Sequence, residues 1–266
     1  MSVTFFCAAQ NLYDLENSRS FASYLMRTKQ YSLAAQEYER IVFLAPNDSI
    51  AKLSLIQSYR LSSQHSRGIS RINDLFPMGI KSLSTDFTNE YTKLLFLNRD
   101  FSDVSDVIRL SQNISPKKKI EYQMAALLLD NKWEEAANFA NLNNQVNTEQ
   151  WYAMKSVSDN HQKIKNKSPF LATAFSTIVP GTGKIYTKNW KDGLFSLLFV
   201  STSAWQSYRG FQKNGIKSAY GWIFGLISIG YYGGNIYGSW KSAKIYNSNI
   251  DHEFYHKAEN IIFSDF

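Results

Sequence analysis

Eleven of the thirteen glycines lie beyond residue 180, in a stretch that also carries two apolar runs without a charge. Each glycine in a water-exposed helix costs roughly 1 kcal/mol against alanine, so apolar segments this rich in glycine are poor material for an ordinary soluble core. The runs are Gly193 to Trp205 and Ala219 to Tyr237. About 20 helical residues cross a hydrocarbon core, a length the second run meets and the first approaches when carried to Tyr208. Lys188 and Lys191 precede the first run, Arg209, Lys213 and Lys217 separate the two, and Lys241 and Lys244 follow the second. Trp190 and Trp205 bracket one run, and Trp222 and Trp240 nearly bracket the other, as amphipathic rings do at headgroup depth. Gly221 and Gly225, then Gly230, Gly234 and Gly238, are spaced by four, which gathers small residues on one helical face where backbones in lipid can approach closely. The expectation is a transmembrane helical hairpin within residues 167–247. A soluble core hairpin and a small β-barrel are the alternatives; a barrel would need about eight strands of ten residues.

Charge follows the same boundary. From Lys167 to Asn247 nine Lys/Arg face one acid, a net +8 that exceeds the +7 of the whole chain. The rest is close to neutral, which argues against a nucleic-acid partner.

Upstream of the first run, Pro169 to Val179 is apolar but too short to span, and suits a re-entrant or interfacial segment. Pro180 ends it, and Gly181 and Gly183 form a turn. The string GTGK is not a phosphate loop: the glycine required five residues before GK is Ile178, and the required Ser/Thr after it is Ile185. Pro180, Gly181, Gly183, Tyr186 and Gly193 resemble instead the P-G-x-G-x-x-Y turn of two-helix TM2-type modules in bacterial membrane proteins, some of which carry tetratricopeptide repeats in front. The resemblance covers about the last third of the chain and implies a membrane-embedded hairpin entered through a glycine turn. The charged residues found inside many such modules are missing, so no signalling role is carried over.

Residues 1–10, MSVTFFCAAQ, read as the remnant of a signal peptide ending in small residues. Cys7 is the sole cysteine, which excludes an intramolecular disulfide. Residues 11–166 are helical by pattern, with Pro46, Pro77 and Pro116 between helices. A 34-residue frame that sets Ala34 at position 20 places Phe21 at 7, Ala22 at 8, Leu25 at 11, Tyr38 at 24, Ile41 at 27 and Pro46 at 32, which resembles a tetratricopeptide repeat. Small residues at 8 and 20 let paired helices touch, and larger ones fill the groove. One period on, Ile56 takes the place of the small residue, so the second repeat is degenerate. Pairs at Thr85 to Leu97 with Ser102 to Leu110, and Pro116 to Leu129 with Lys132 to Leu142, then a helix from Thr148 to Lys165, complete a short α-solenoid.

A solenoid offers a concave face to a protein partner. Arg27, Lys29 and Arg40 do not form a ladder that would clamp a carboxylate. In the tail at 248–266, His252-Glu253-Phe254-Tyr255-His256 satisfies H-E-x-x-H, with Glu259 as a third candidate zinc ligand. The other reading is an amphipathic tail helix packing Phe254, Ala258, Ile261 and Ile262 inward. The chain is therefore expected to be all-α, a short repeat solenoid followed by a transmembrane hairpin. Its expected role is that of a non-enzymatic adaptor without a cofactor, binding a protein through the solenoid and lipid through the hairpin, in an oligomer or membrane complex. A zinc-dependent membrane hydrolase and a structural subunit acting through the glycine stripe are the rivals. The expected location is a bacterial inner membrane with the repeats in the periplasm, although the lysine distribution favours the reverse orientation.

Overall fold

The computed structural model describes residues 14–264 and 266. The expected signal remnant at 1–10, Cys7 included, lies outside them. Among the described residues the chain is all-helical, without a strand, which disposes of the barrel. The helices are α1 Leu15–Arg27, α2 Tyr31–Leu44, α3 Ser49–Leu61, α4 His65–Leu75, α5 Thr85–Asn98, α6 Phe101–Leu110, α7 Pro116–Leu129, α8 Trp133–Leu142, α9 Glu149–Gln162, α10 Pro169–Ile178, α11 Thr182–Tyr186, α12 Trp190–Asn214 and α13 Ala219–Phe263.

The described residues divide into two compact units, one of residues 14–130, 139–151, 264 and 266, the other of residues 131–138 and 152–263. These do not follow the boundaries expected at 166/167 and 247/248. The expected tail helix is the end of α13, which runs through residue 247 unbroken.

In the first unit successive helices pack on one another along the chain. Helices α1, α3, α5, α7 and α9 begin at residues 15, 49, 85, 116 and 149, a period close to 34. The pattern is consistent with an α-solenoid. Its turns share one device: Lys29, Ser63, Arg99 and Asn131, each between the two helices of a pair, all have φ near +60°. The residues after the first three donate their backbone N–H to the carbonyls of Leu25, Tyr59 and Leu95, five residues back, at 2.9 Å. This closes the helix end and satisfies its last carbonyls.

Ala22 and Ala34 are fully buried, as close helix contact demands, with Leu25, Tyr38 and Ile41 beside them. Gly68 plays the same part in the next pair, where a Cβ would sit 3.0 Å from Leu94 Cδ1 and 3.1 Å from Tyr59 Cβ. Phe21 corrects the pattern: it is 52% exposed and stacks on Tyr24 instead of filling a groove. Arg60 of α3 forks onto Glu90 of α5 at 2.7 and 3.4 Å, a nearly buried pair.

In the second unit α12 and α13 form a helical hairpin through a short 3-10 turn at Gly215–Lys217, and α10 and α11 pack against α13. Farther along, Phe254, Ala258 and Ile262 of α13 are buried and Ile261 is half-buried. Trp133 and His161 stack at 4.6 Å, and Phe254 meets both rings edge-on. His161 Nε2 also contacts Asp251 Oδ1 at 2.8 Å. That cluster is why residues 131–138 and 152–162 belong with α13. Among the described residues no helix is long and apolar enough to cross a membrane.

Candidate functional site

The glycine turn is built by close backbone approach. Gly181 adopts φ +90°, and a Cβ there would fall 2.0 Å from the carbonyl oxygen of Gly193. A Cβ on Gly183 would fall 1.9 Å from the Ala172 oxygen, and one on Gly193 would meet both Gly181 O and Ile185 Cγ1 at 2.7 Å. All three glycines are thus required by their neighbours' backbone. Pro180 links the end of α10 to this turn. Tyr186 sets its ring edge-on to Phe175 at 5.4 Å and accepts the Ser168 N–H through its hydroxyl at 3.3 Å.

Asn235 fixes the turn to α13. Its Oδ1 accepts the Gly181 N–H at 3.0 Å, and its Nδ2 donates to the Ser176 carbonyl at 3.4 Å. Ser176 Oγ accepts from Gly183 N–H at 2.9 Å and lies 2.6 Å from Ser239 Oγ, whose own proton goes to the Asn235 carbonyl at 2.8 Å. The proton count gives one direction: Ser176 donates to Ser239, and Ser239 to the backbone. The pairing continues along α13, where Thr187 meets Ser242 at 2.6 Å and Asn247 brackets Lys167 with two bonds to its backbone. On α12, Ser207 Oγ donates to the Gly221 carbonyl at 2.8 Å.

The polar partners Ser176, Thr187, Ser207, Asn235, Ser239, Ser242 and Asn247 belong to no motif in the sequence. An asparagine inside an otherwise apolar run was the available signal, because a buried amide requires partners.

The five glycines of the stripe, among the six of α13, differ in their surroundings. Gly221 and Gly225 lie at the crossing with α12, where a Cβ would meet the Phe211 ring at 2.8 Å and Ser207 Oγ at 3.0 Å. A Cβ on Gly238 would meet Lys184 Cε at 3.2 Å, while Gly230 and Gly234 face open space. The tightest glycine of the crossing is Gly210, where a Cβ would fall 2.7 Å from the Gly221 nitrogen.

The sidedness of this region is inverted. Between residues 168 and 247 the buried side chains include seven polar ones, Ser176, Thr187, Ser203, Ser207, Ser218, Asn235 and Ser239, against three apolar ones, Ala172, Val200 and Ala243. Of 35 exposed large hydrophobic side chains among the described residues, 24 lie between Phe170 and Ile245. Soluble monomers rarely expose apolar patches beyond a few hundred Å².

His252, Glu253 and His256 are exposed on α13. The histidine rings lie 4.4 Å apart, but His256 Nδ1 is paired with Glu259 at 3.0 Å and Glu253 with Lys257 at 2.6 Å. Among the described residues no three His, Cys, Asp or Glu side chains are grouped to hold a metal ion. On the solenoid, Arg40 is paired with Glu37, and Lys29 occupies a turn.

No family model, curated protein or solved structure matches this chain.

Proposed function

We propose that the chain is a membrane-attached helical-repeat adaptor without catalytic activity, in which residues 169–247 sit in lipid and the repeats hold a protein partner. The observation that carries this reading is the inverted packing of α10 to α13, with hydroxyls and an amide inside and phenylalanine, leucine, isoleucine and tryptophan outside. In water such a surface would drive association; in hydrocarbon it is the favourable arrangement, provided the polar groups find partners within the bundle. Ser176, Asn235 and Ser239 find them.

Small and polar residues, Gly193, Ser203, Ser207 and Gly210 of α12 with Gly221, Asn235 and Ser239 of α13, make up most of the buried face of the two long helices up to residue 247. Charge supports the reading as well. Arg209 is eighteen residues beyond Lys191 on α12, about 27 Å along the axis, close to the roughly 30 Å of a hydrocarbon core.

Membrane fractionation tests this. The protein is expected to stay in the membrane pellet through carbonate washing and to be released by detergent; recovery from the aqueous fraction would overturn the reading. Placing the repeats in the periplasm of a bacterial inner membrane rests on residues 1–10, while the lysine count favours the opposite sense. Protease protection of the repeats in spheroplasts decides between them. Pull-down of a protein by the wild type, lost on disruption of the solenoid but retained with Gly234→Trp, would place the partner on the repeats; the reverse pattern would place it on the hairpin.

A further inference from the structure

The cations of the hairpin are deployed unlike those of the repeats. In the first unit Arg19, Arg40, Arg60, Arg71, Lys93, Arg109 and Lys118 each meet a carboxylate. In the second unit the pairs involve Lys155, His161, His256 and Lys257, and none of the nine Lys/Arg between residues 167 and 247 takes part in one. The one acid of that stretch, Asp192, accepts from Asn189 instead.

Six of the nine gather at one end. Contacts of Gly181 with Asn235, Thr187 with Ser242 and Lys167 with Asn247 bring residues 167–193 alongside residues 235–247. Lys167, Lys184, Lys188, Lys191, Lys241 and Lys244 therefore share this end. Several lie over aromatic rings: Lys244 over Trp240 at 3.8 Å, Lys167 over Tyr186 at 4.5 Å and Lys191 over Trp190 at 5.9 Å. Two converge on Tyr246, whose ring centroid is 6.0 Å from Lys167 Nζ and 5.7 Å from Lys188 Nζ. Neither ammonium meets a carboxylate, so each keeps an uncompensated positive charge that an anion would stabilise.

We infer that this collar binds the phosphate of anionic phospholipids, with Lys167 and Lys188 flanking Tyr246 as its principal headgroup site. The inference rests on the membrane reading above and adds a lipid class to it. A lipid phosphate supplies the missing negative charge at headgroup depth, where the neighbouring tryptophans and tyrosines also settle.

The test uses the full chain in detergent, with Trp205 and Trp222 changed to Phe so that, of the tryptophans beyond residue 167, Trp190 and Trp240 of the collar report, over a constant background from the buried Trp133 and Trp151. It is titrated with phosphatidylglycerol or phosphatidylcholine brominated on the acyl chains. Quenching by both, with phosphatidylglycerol effective at about tenfold lower concentration, is expected. Lys167→Gln with Lys188→Gln should abolish that preference, and Lys213→Gln with Lys217→Gln at the other end should leave it. Equal quenching by the two lipids, or equal loss in both double variants, overturns the headgroup site while leaving the membrane reading intact. No quenching by either lipid overturns the membrane reading itself. Relief of phosphatidylglycerol quenching by inorganic phosphate at matched ionic strength would make this a soluble-anion site and overturn the lipid assignment.

Discussion

Single residues carry unequal weight in the two units. Gly181→Ala or Gly183→Ala would drive a methyl into a carbonyl oxygen at 2.0 or 1.9 Å, with a cost of about 3 kcal/mol or more expected. Gly230→Ala meets nothing and should gain about 0.5 to 1 kcal/mol from helix propensity. Thermal unfolding in detergent separates the two. In the solenoid, Ser63 has φ +59°, a conformation that costs a side chain about 1 kcal/mol and glycine nothing. Ser63→Gly is therefore expected to stabilise by about that amount in urea unfolding. Tyr59 is held up to about 12, first by burial and then by donating its hydroxyl to the Glu39 carboxylate at 2.7 Å. The unfolded chain loses this proton near pH 10 while the folded one keeps it, so the contribution is complete below pH 10 and fades as pH rises towards 12. Tyr59→Phe should flatten that alkaline limb of the stability profile. Burial raises Tyr91 and Tyr122 as well, so part of the slope will remain.

At the scale of elements, the hairpin depends on a few polar links where an ordinary core would use area. Asn235→Leu keeps the number and branching of side-chain heavy atoms but leaves the buried Gly181 N–H without its acceptor, which costs about 1 to 3 kcal/mol. Hydrogen exchange should show lost protection in residues 181–186 first, and unchanged protection there would remove Asn235 from this role. The elements themselves were legible to differing degrees. The solenoid helices follow from apolar periodicity and from prolines between helices, and α5 to α9 fall within a few residues of their expected bounds. The glycine stripe was readable as a stripe, but its division was not. Spacing by four puts residues on one face without saying how far the neighbouring helix extends, and α12 reaches Gly221 and Gly225 while Gly230 and Gly234 stay open.

For the whole molecule, the division into units was the least visible feature in the sequence. Composition changes near residue 167, yet residues 131–138 and 152–162 pack with α13 because Trp133, His161 and Phe254 form one ring cluster. Trp133→Ala should cost about 3 to 5 kcal/mol and loosen residues 152–162 and 250–262 together in hydrogen exchange; loss confined to residues 131–138 would show that the cluster does not bind them. By itself the sequence determined an all-helical chain, a period near 34 residues, and a basic, glycine-rich final third, since these are local properties of propensity, pattern and charge. Only the tertiary structure decided which side chains face inward. Helical periodicity reports that two faces differ but not which solvent each meets, and the inversion of polar and apolar faces emerges only once α10 to α13 are packed together.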